Sequence, residues 1–360
     1  MTDQPHTLTI AEAGVNHNGD LGMALALVDK AADARADFVK FQTFNAAKLA
    51  SASAPKAAYQ QRQTDRGESQ LEMLTRLQLS ADDHRAIIDR CVARGVRFLS
   101  TPFDVGSLDL LTREFGLREI KLGSGELTNG PLLLDVARTG VNVILSTGMG
   151  TLAEVEAALG VLAFGMLRTG EEPSSTAFAD ALARPEAWSL LRERVTLLHC
   201  TTEYPAAPAD TNLRAMDTMR AAFGLRVGYS DHTEGNAISI AAVARGAEVI
   251  EKHFTLDRSL PGPDHAASLE PAELSALISE IRAVETALGS GIKQPSASEI
   301  ANRPVARKSL FAARDLPADH VLTSDDIDVM RPGSGLSPMD YWAMLGKPTR
   351  RSHNRGDRLG

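Results

Sequence analysis

The chain is poor in cysteine. Among 360 residues there are two, Cys91 and Cys200, with no CxxC spacing. That argues against a disulfide scaffold and a thiolate zinc site, and it suits a reducing cytoplasm. Long apolar runs are also missing. No stretch of about 18 apolar residues occurs, so no membrane span is expected. The start, MTDQPHTLTIAEAG, lacks a basic segment and a long apolar core, so no signal peptide is expected. Positive charge is in the minority, with 38 Lys and Arg against 46 Asp and Glu, a formal net charge of −8. The acidity is spread along the chain, which argues against non-specific nucleic-acid binding. What is present, 43% apolar and 23% charged residues, is a globular composition. The length fits one large domain or two of ordinary size.

One pattern recurs. A short apolar run ends in polar or glycine residues, and a stretch of helical period follows. The runs cover 7–14, 37–43, 96–104, 119–126, 142–148, 195–204, 226–233 and 249–255. Helices are expected over 21–35, over 80–95 with Ser80 as N-cap and Gly95 past the end, over 151–163 with Thr151 and Glu154 as a capping box, and over 268–289. Eight strand–helix units in 289 residues predict an α/β fold, a closed (β/α)8 TIM barrel over 1–289. A doubly wound sheet is the alternative, but no GxGxxG follows the first strand. Residues 290–306 are rich in Gly, Ser and Pro and read as a linker. Residues 307–360 read as a small, mostly β domain with short helical turns.

In such a barrel the active site lies at the C-terminal ends of the strands. Here those ends are polar: Glu12; Lys40 and Gln42; Thr101; Lys121, Ser124 and Glu126; Ser146; Thr202 and Tyr204; Ser230 and His232; Glu251 and His253. Strand alternation puts Lys40 with Gln42, Ser230 with His232, and Glu251 with His253 on one face each. Two imidazoles from neighbouring strands would then meet at the barrel mouth. As neutral ligands they suit Mn, Fe, Ni, Zn or Cu; the plain alternative is two hydrogen-bonded core histidines. Lys40, Lys121, Ser124, Ser146 and Ser230 suit a phosphate or carboxylate, and the glycines of GSGE and STGMG let backbone amides approach an anion. Either lysine also suits a Schiff base.

Glu12, Glu126 and Glu251 are candidate acid–base or metal-orienting groups, or partners of nearby lysines. In EVIEKHFTL (248–256), Val249, Glu251 and His253 are expected to face the barrel axis. Lys252 is expected on the helix side, its amine escaping to solvent. His199 and Cys200 read as core residues. Asn16 and His17, in the turn GVNHNGD, read either as loop or as pocket floor. The Pro/Gly-rich segment 260–271 reads as a lid carrying Asp264.

The segments IAEAGVNHNGD, DFVKFQTF, FLSTPFD, KLGSGE, ILSTGM, LLHCTTEYP, GYSDHT, VIEKHFTLD and GPDHAASLEP together resemble the sialic acid (nonulosonic acid) synthases. The tail, with KSLFAARDLPADHVLTSDDIDVMRPGSG, resembles that family's antifreeze-like (SAF) domain. The resemblance implies condensation of phosphoenolpyruvate with an N-acylated mannosamine-type aldose and release of phosphate. The aldose would be N-acetylmannosamine or 2,4-diacetamido-2,4,6-trideoxymannose. It implies a divalent metal on His232 and His253, usually Mn²⁺, with Mg²⁺ or Co²⁺ as alternatives. Lys40, Lys121, Ser124, Ser146 and Ser230 would hold phosphoenolpyruvate, with Thr202 where some relatives carry Asn. Glu12 and Glu126 are the acid–base candidates, and Gln42, Tyr204 and Asp264 would surround the sugar. Arg331 would reach the partner subunit's site in a domain-swapped homodimer. The ending RGDRLG leads us to expect a shortened last strand in the small domain. A Schiff-base aldolase on the same barrel and a non-catalytic carbohydrate- or ice-binding protein are the competing readings.

Overall fold

All eight apolar runs form strands, and every ladder among them is parallel. They are β1 (Leu8–Gly14), β2 (Phe38–Thr43), β3 (Arg97–Pro102), β4 (Glu119–Leu122), β5 (Asn142–Ser146), β6 (Val195–Cys200), β7 (Arg226–Asp231) and β8 (Val249–His253). The structure, a computed structural model, describes residues 6–51, 54–56, 67–168 and 170–360; residues 1–5 of the N-terminal stretch read above lie outside these. The ladder order is β3-β2-β1-β8-β7-β6-β5-β4. β3 and β4 lie side by side without a ladder between them, so the (β/α)8 barrel is closed except at that seam. Six strands end earlier than their apolar runs, four of them leaving polar loops at the mouth. Residues 123–126, 147–148, 201–204 and 232–233 turn out of the sheet, where loops can build a site.

The helices start and stop where the chain supplies caps. Ser80 and Asp83 form a capping box on Ala81–Arg94, and Gly95 ends it in the left-handed region at φ 73°. Thr151 and Glu154 do the same at the start of Leu152–Leu167. One excursion carries extra structure. Between β2 and Ala81–Arg94, the short helices Ala46–Leu49 and Gln70–Leu77 bury Met73, Leu74 and Leu77 with Val15 and Phe44 in a core of their own.

The interior has two apolar layers. The larger lies between the strands and the outer helices. The smaller plugs the barrel axis: Ile10, Phe38, Leu99, Ile144, Leu198 and Val249, each from a different strand. β7 contributes no side chain to this plug. A Cβ at Gly228 would lie 2.4 Å from the Val249 carbonyl oxygen and 2.7 Å from Leu198 Cδ2, so only glycine fits.

The chain folds as two compact units, Met1–Gly289 and Ser290–Gly360. The stretch read as a linker contains a helix, Ala297–Ala306, started by a capping box of Ser296 and Glu299. The S-x-x-E signature was in the sequence, although Gly, Ser and Pro around it suggested only a connection. In the second unit, β9 (Ser309–Ala312) and β10 (Ile327–Met330) form an antiparallel pair. Leu310, Ala312, Leu316, Leu322, Ile327 and Leu359 form its core, and the Leu359 amide donates to the Leu310 carbonyl at 3.0 Å.

The fully buried Asp326 ties this unit together. It accepts from Arg314 Nε (2.7 Å), His320 Nε2 (2.9 Å), and the amide and hydroxyl of Thr323 (both 2.8 Å). Burial alone would raise its carboxyl, but these donors outweigh burial and hold it well below the usual carboxylate range. A depressed carboxyl contributes stability above its unfolded value, near 4, and loses it as pH falls toward the folded value. Asp326→Asn is therefore expected to lower the melting temperature of the second unit at pH 7. The gap from wild type should narrow below about pH 4. Thermal melts from pH 7 to 2 check this; a gap independent of pH would show that the carboxylate charge is not what the donors hold.

Candidate active site

The plug residues set the site by a step of two. Moving two residues towards the strand C-terminus from the plug reaches the same face of each strand. Ile10 leads to Glu12, Phe38 to Lys40, Leu99 to Thr101, Ile144 to Ser146, Leu198 to Cys200 and Val249 to Glu251. All six of these second residues line one cavity of about 440 Å³ at the C-terminal mouth. A further step of two adds Gln42, Thr202 and His253, and β7 contributes Ser230 and His232. Lys121, Ser124, Tyr204 and Asp264 complete the polar wall.

Four charges meet at the cavity floor. Lys40 Nζ lies 2.8 Å from Glu12 Oε2 and 3.6 Å from Glu251 Oε2, and Lys121 Nζ lies 3.4 Å from Glu251 Oε1. All four side chains are almost wholly buried. Burial pushes the Glu12 carboxyl up to about 7 against the pull of Lys40. Burial would also raise Glu251, but Lys121 and Lys40 outweigh it and hold this carboxyl down at about 2. Burial disfavours the Lys40 ammonium, yet Glu12 and Glu251 reverse that and hold its pKa above the usual value. Burial lowers Lys121 despite Glu251. Glu251, left open by the sequence, thus balances Lys40 and Lys121 and accepts from Ser230 Oγ at 2.9 Å. Glu251 is the firm carboxylate of this floor and Glu12 titrates near neutrality, so two lysines face one fixed negative charge.

Three loops close a cradle beside this floor. The Gly148 amide donates to Ser124 Oγ at 3.0 Å, and Ser124 Oγ lies 3.0 Å from Cys200 Sγ. A Cβ at Gly148 would sit 2.5 Å from Thr202 Oγ1, 2.7 Å from Ser124 Oγ and 2.8 Å from Cys200 Sγ. Nearby, Ser146 Oγ is buried with no hydrogen-bond partner, and Lys40 Nζ donates to Thr101 Oγ1 at 3.3 Å.

At the other side stand the histidines. Their ring centroids are 5.5 Å apart, and Tyr204 packs on both, 4.2 Å from His232 and 5.4 Å from His253. Burial pushes His232 down to about 4 and His253 well below its usual value, so both rings are neutral. His232 Nδ1 donates to the Thr201 carbonyl at 2.6 Å, so Nε2 carries the lone pair; its neighbour is Ser230 Oγ at 3.4 Å, whose proton goes to Glu251. His253 Nδ1 is buried with no hydrogen-bond partner; Asp264 Oδ2 lies 3.9 Å away, its carboxyl raised by burial to about 6. Two neutral imidazoles with available lone pairs fit a divalent cation. Among the described residues no group of three His, Cys, Asp or Glu side chains is placed to hold an ion alone. A cation here would take its other ligands from water or substrate.

Some expected residues stand elsewhere. Glu126 does not line the cavity; it lies in the turn Ser124–Glu126, where Asn129 Nδ2 donates to its Oε2 at 2.6 Å. Arg331 is exposed just after β10 in the second unit. Asn16 is buried and serves as a fastener, donating to the Phe254 carbonyl (2.8 Å) and Ser268 Oγ (2.9 Å). His199 is a satisfied core residue, bonded to the Thr211 carbonyl at 2.7 Å. Lys252 does not escape to solvent: it is 2% exposed and paired with Asp231. Cys200, read as core, is a cavity wall, and the two-residue step from Leu198 was the signal for it. Leu49, Met73, Leu74 and Leu77, an apolar wall from the β2 excursion, carried no recognisable site signal.

The profile of the NeuB family matches residues 27–293, and that of the SAF domain residues 307–358. The chain belongs to the NeuB family. Among NeuB relatives, the N,N'-diacetyllegionaminic acid synthase of Campylobacter jejuni subsp. jejuni is 48% identical, over 95% of either chain. That of Legionella pneumophila subsp. pneumophila is 42% identical over 94% of this chain and 88% of its own. A solved N-acetylneuraminic acid (sialic acid) synthetase from Leptospira borgpetersenii serovar Hardjo-bovis, in complex with citrate, superposes with a TM-score of 0.65 at 34% identity. That match covers 82% of this chain and 90% of the other.

The cradle generates a prediction. Gly148→Ala would push aside Ser124 Oγ, Thr202 Oγ1 and Cys200 Sγ, all at the mouth of the barrel. Inorganic phosphate should bind at least about tenfold more weakly, the cost of roughly one hydrogen bond to a charged group, with little change in melting temperature. Calorimetric titration measures this; unchanged binding would show that the anion sits elsewhere.

Proposed function

We propose that this NeuB-family chain condenses phosphoenolpyruvate with an N-acylated amino sugar, giving a nine-carbon 2-keto acid and phosphate. The observation that carries this is the shared cavity. One side offers two lysines and several hydroxyls for a phosphorylated carboxylate, the other two neutral imidazoles beside the space for an aldehyde. Lys40, Lys121, Ser124, Ser146, Thr202 and Ser230 are assigned to phosphoenolpyruvate. Both lysines pair with carboxylates, which suits ammonium anchors better than an amine nucleophile.

His232 and His253 are assigned to a divalent cation, Mn²⁺ foremost, with Mg²⁺ or Co²⁺ as alternatives. Such an ion, when bound, polarises the open-chain aldehyde as a Lewis acid. The anchors hold C3 of phosphoenolpyruvate against that carbon, and the C–C bond forms there. Water adds at C2 and collapse expels phosphate through C–O cleavage. Glu12, with a carboxyl near neutrality, is placed to take and return the proton of that water. Gln42, Tyr204 and Asp264 flank the space left for the sugar.

The sugar we favour is 2,4-diacetamido-2,4,6-trideoxymannose, giving N,N'-diacetyllegionaminate. The two relatives above support it. So does the apolar wall of Leu49, Met73, Leu74 and Leu77, which suits a methyl terminus better than a hydroxymethyl. The proposal includes a cytoplasmic homodimer in which Arg331 of one chain serves the partner's sugar. Neither a membrane nor a nucleic acid has a part in it.

The purified protein with Mn²⁺ and phosphoenolpyruvate should release phosphate with this sugar faster than with N-acetylmannosamine, and ¹⁸O in the bridging position should leave with phosphate. Release with neither sugar would sink the reading. His232→Ala, His253→Ala and chelation with EDTA should each lower kcat at least about a hundredfold, the loss of a group that polarises the electrophile. Full activity in both variants would remove the metal assignment.

A further inference from the structure

On the side of β7 and β8 that faces away from the cavity lies a closed polar network. Asp231 and Lys252 are register partners in the β7–β8 ladder. Lys252 Nζ donates to Asp231 Oδ2 at 2.8 Å and to the Thr233 carbonyl at 2.7 Å. Asp231 Oδ1 accepts from the Thr233 amide (2.8 Å) and hydroxyl (2.7 Å), and its Oδ2 also accepts from Ser239 Oγ at 2.6 Å. Ser239 belongs to the helix Ala237–Ala244, which packs on both strands. All four side chains are buried, and none lines the cavity.

The charge–charge attraction by itself contributes little net stability. A buried ion pair exchanged for apolar side chains of similar volume commonly leaves stability unchanged or raised, because desolvation of both charges offsets their attraction. A directional pair instead fixes geometry. Here the residue after Asp231 is His232, and the residue after Lys252 is His253. The network grips the backbone of Thr233 at both its amide and its carbonyl, so it brackets His232 on either side. From the cavity side the His232 ring meets the Thr201 carbonyl, Ser230 Oγ at 3.4 Å and the Tyr204 ring, and its carbonyl accepts from the Ala206 amide at 2.8 Å.

We propose that Asp231 and Lys252, with Ser239, are positioning residues that fix the spacing and orientation of His232 and His253 for a divalent cation. This rests on the metal assignment made above. The network acts through the backbone and touches neither the cation nor substrate. Its role resembles that of groups behind metal ligands in general, whose loss typically weakens metal binding 10- to 100-fold.

The test compares wild type, the double variant Asp231→Leu/Lys252→Met and Ser239→Ala, each as the purified full-length chain. Mn²⁺ alone is titrated by electron paramagnetic resonance, and melting is followed in parallel. The double variant is expected to melt below wild type, because Thr233 and Ser239 lose buried partners, yet to stay folded and bind Mn²⁺ at least about tenfold more weakly. Ser239→Ala should shift affinity less, in the same direction. A folded double variant with wild-type affinity overturns the inference. Where the double variant does not fold, unchanged affinity in Ser239→Ala overturns it instead. A wild-type chain that binds no Mn²⁺ overturns the metal assignment itself and this inference with it, and that outcome is separate because it needs no variant.

Discussion

Four buried charges resting on an apolar plug are the constraint from which the rest of the catalytic unit follows. Lys40, Lys121, Glu12 and Glu251 are taken out of water at the barrel mouth. Such burial is costly unless each group is paired and hydrogen-bonded. The barrel meets that cost by bringing the four from four strands, β1, β2, β4 and β8, and by aiming them at each other. No pair of adjacent strands alone supplies both signs in the needed number. Closure of the barrel is therefore what makes the charges tolerable, and it gathers them at one end of the cavity.

The neighbouring groups divide the mouth into two chemistries. The cradle around Gly148 offers the hydroxyls of Ser124 and Thr202, which suit oxygen-rich anions. The histidine side is desolvated enough to keep both rings neutral, so their lone pairs are available rather than protonated. Polar plug ends, an apolar flank from the β2 excursion and a firm Glu251 give one cavity with distinct regions. That division, more than any single residue, supports a reaction joining a phosphorylated acid to an aldehyde.

Much of this was legible in residue order. Period-two alternation assigned Lys40, Gln42, Ser230, His232, Glu251 and His253 to inward faces, and the structure brings all of them to one cavity. The capping signatures at Ser80 and Thr151 located helix starts. Where reading failed, the information lay in a partner distant in sequence. Lys252 seemed bound for solvent because nothing near it in the chain carries a counter-charge on that face; Asp231 does, 21 residues earlier, across a ladder. Glu126 is the local exception: it looked like a third acid, yet its turn points the carboxylate at Asn129, three residues away. Cys200 looked like filler because a thiol carries no sign of what it faces.

The sequence by itself determined which residues alternate, where helices begin, and that polar groups crowd the strand ends, because these depend on local geometry with fixed periods. Only the tertiary structure decided which charges pair, which carboxyl titrates near neutrality and which lysine is locked behind the histidines. Those outcomes depend on distance and desolvation between strands far apart in the chain, and no local period encodes either.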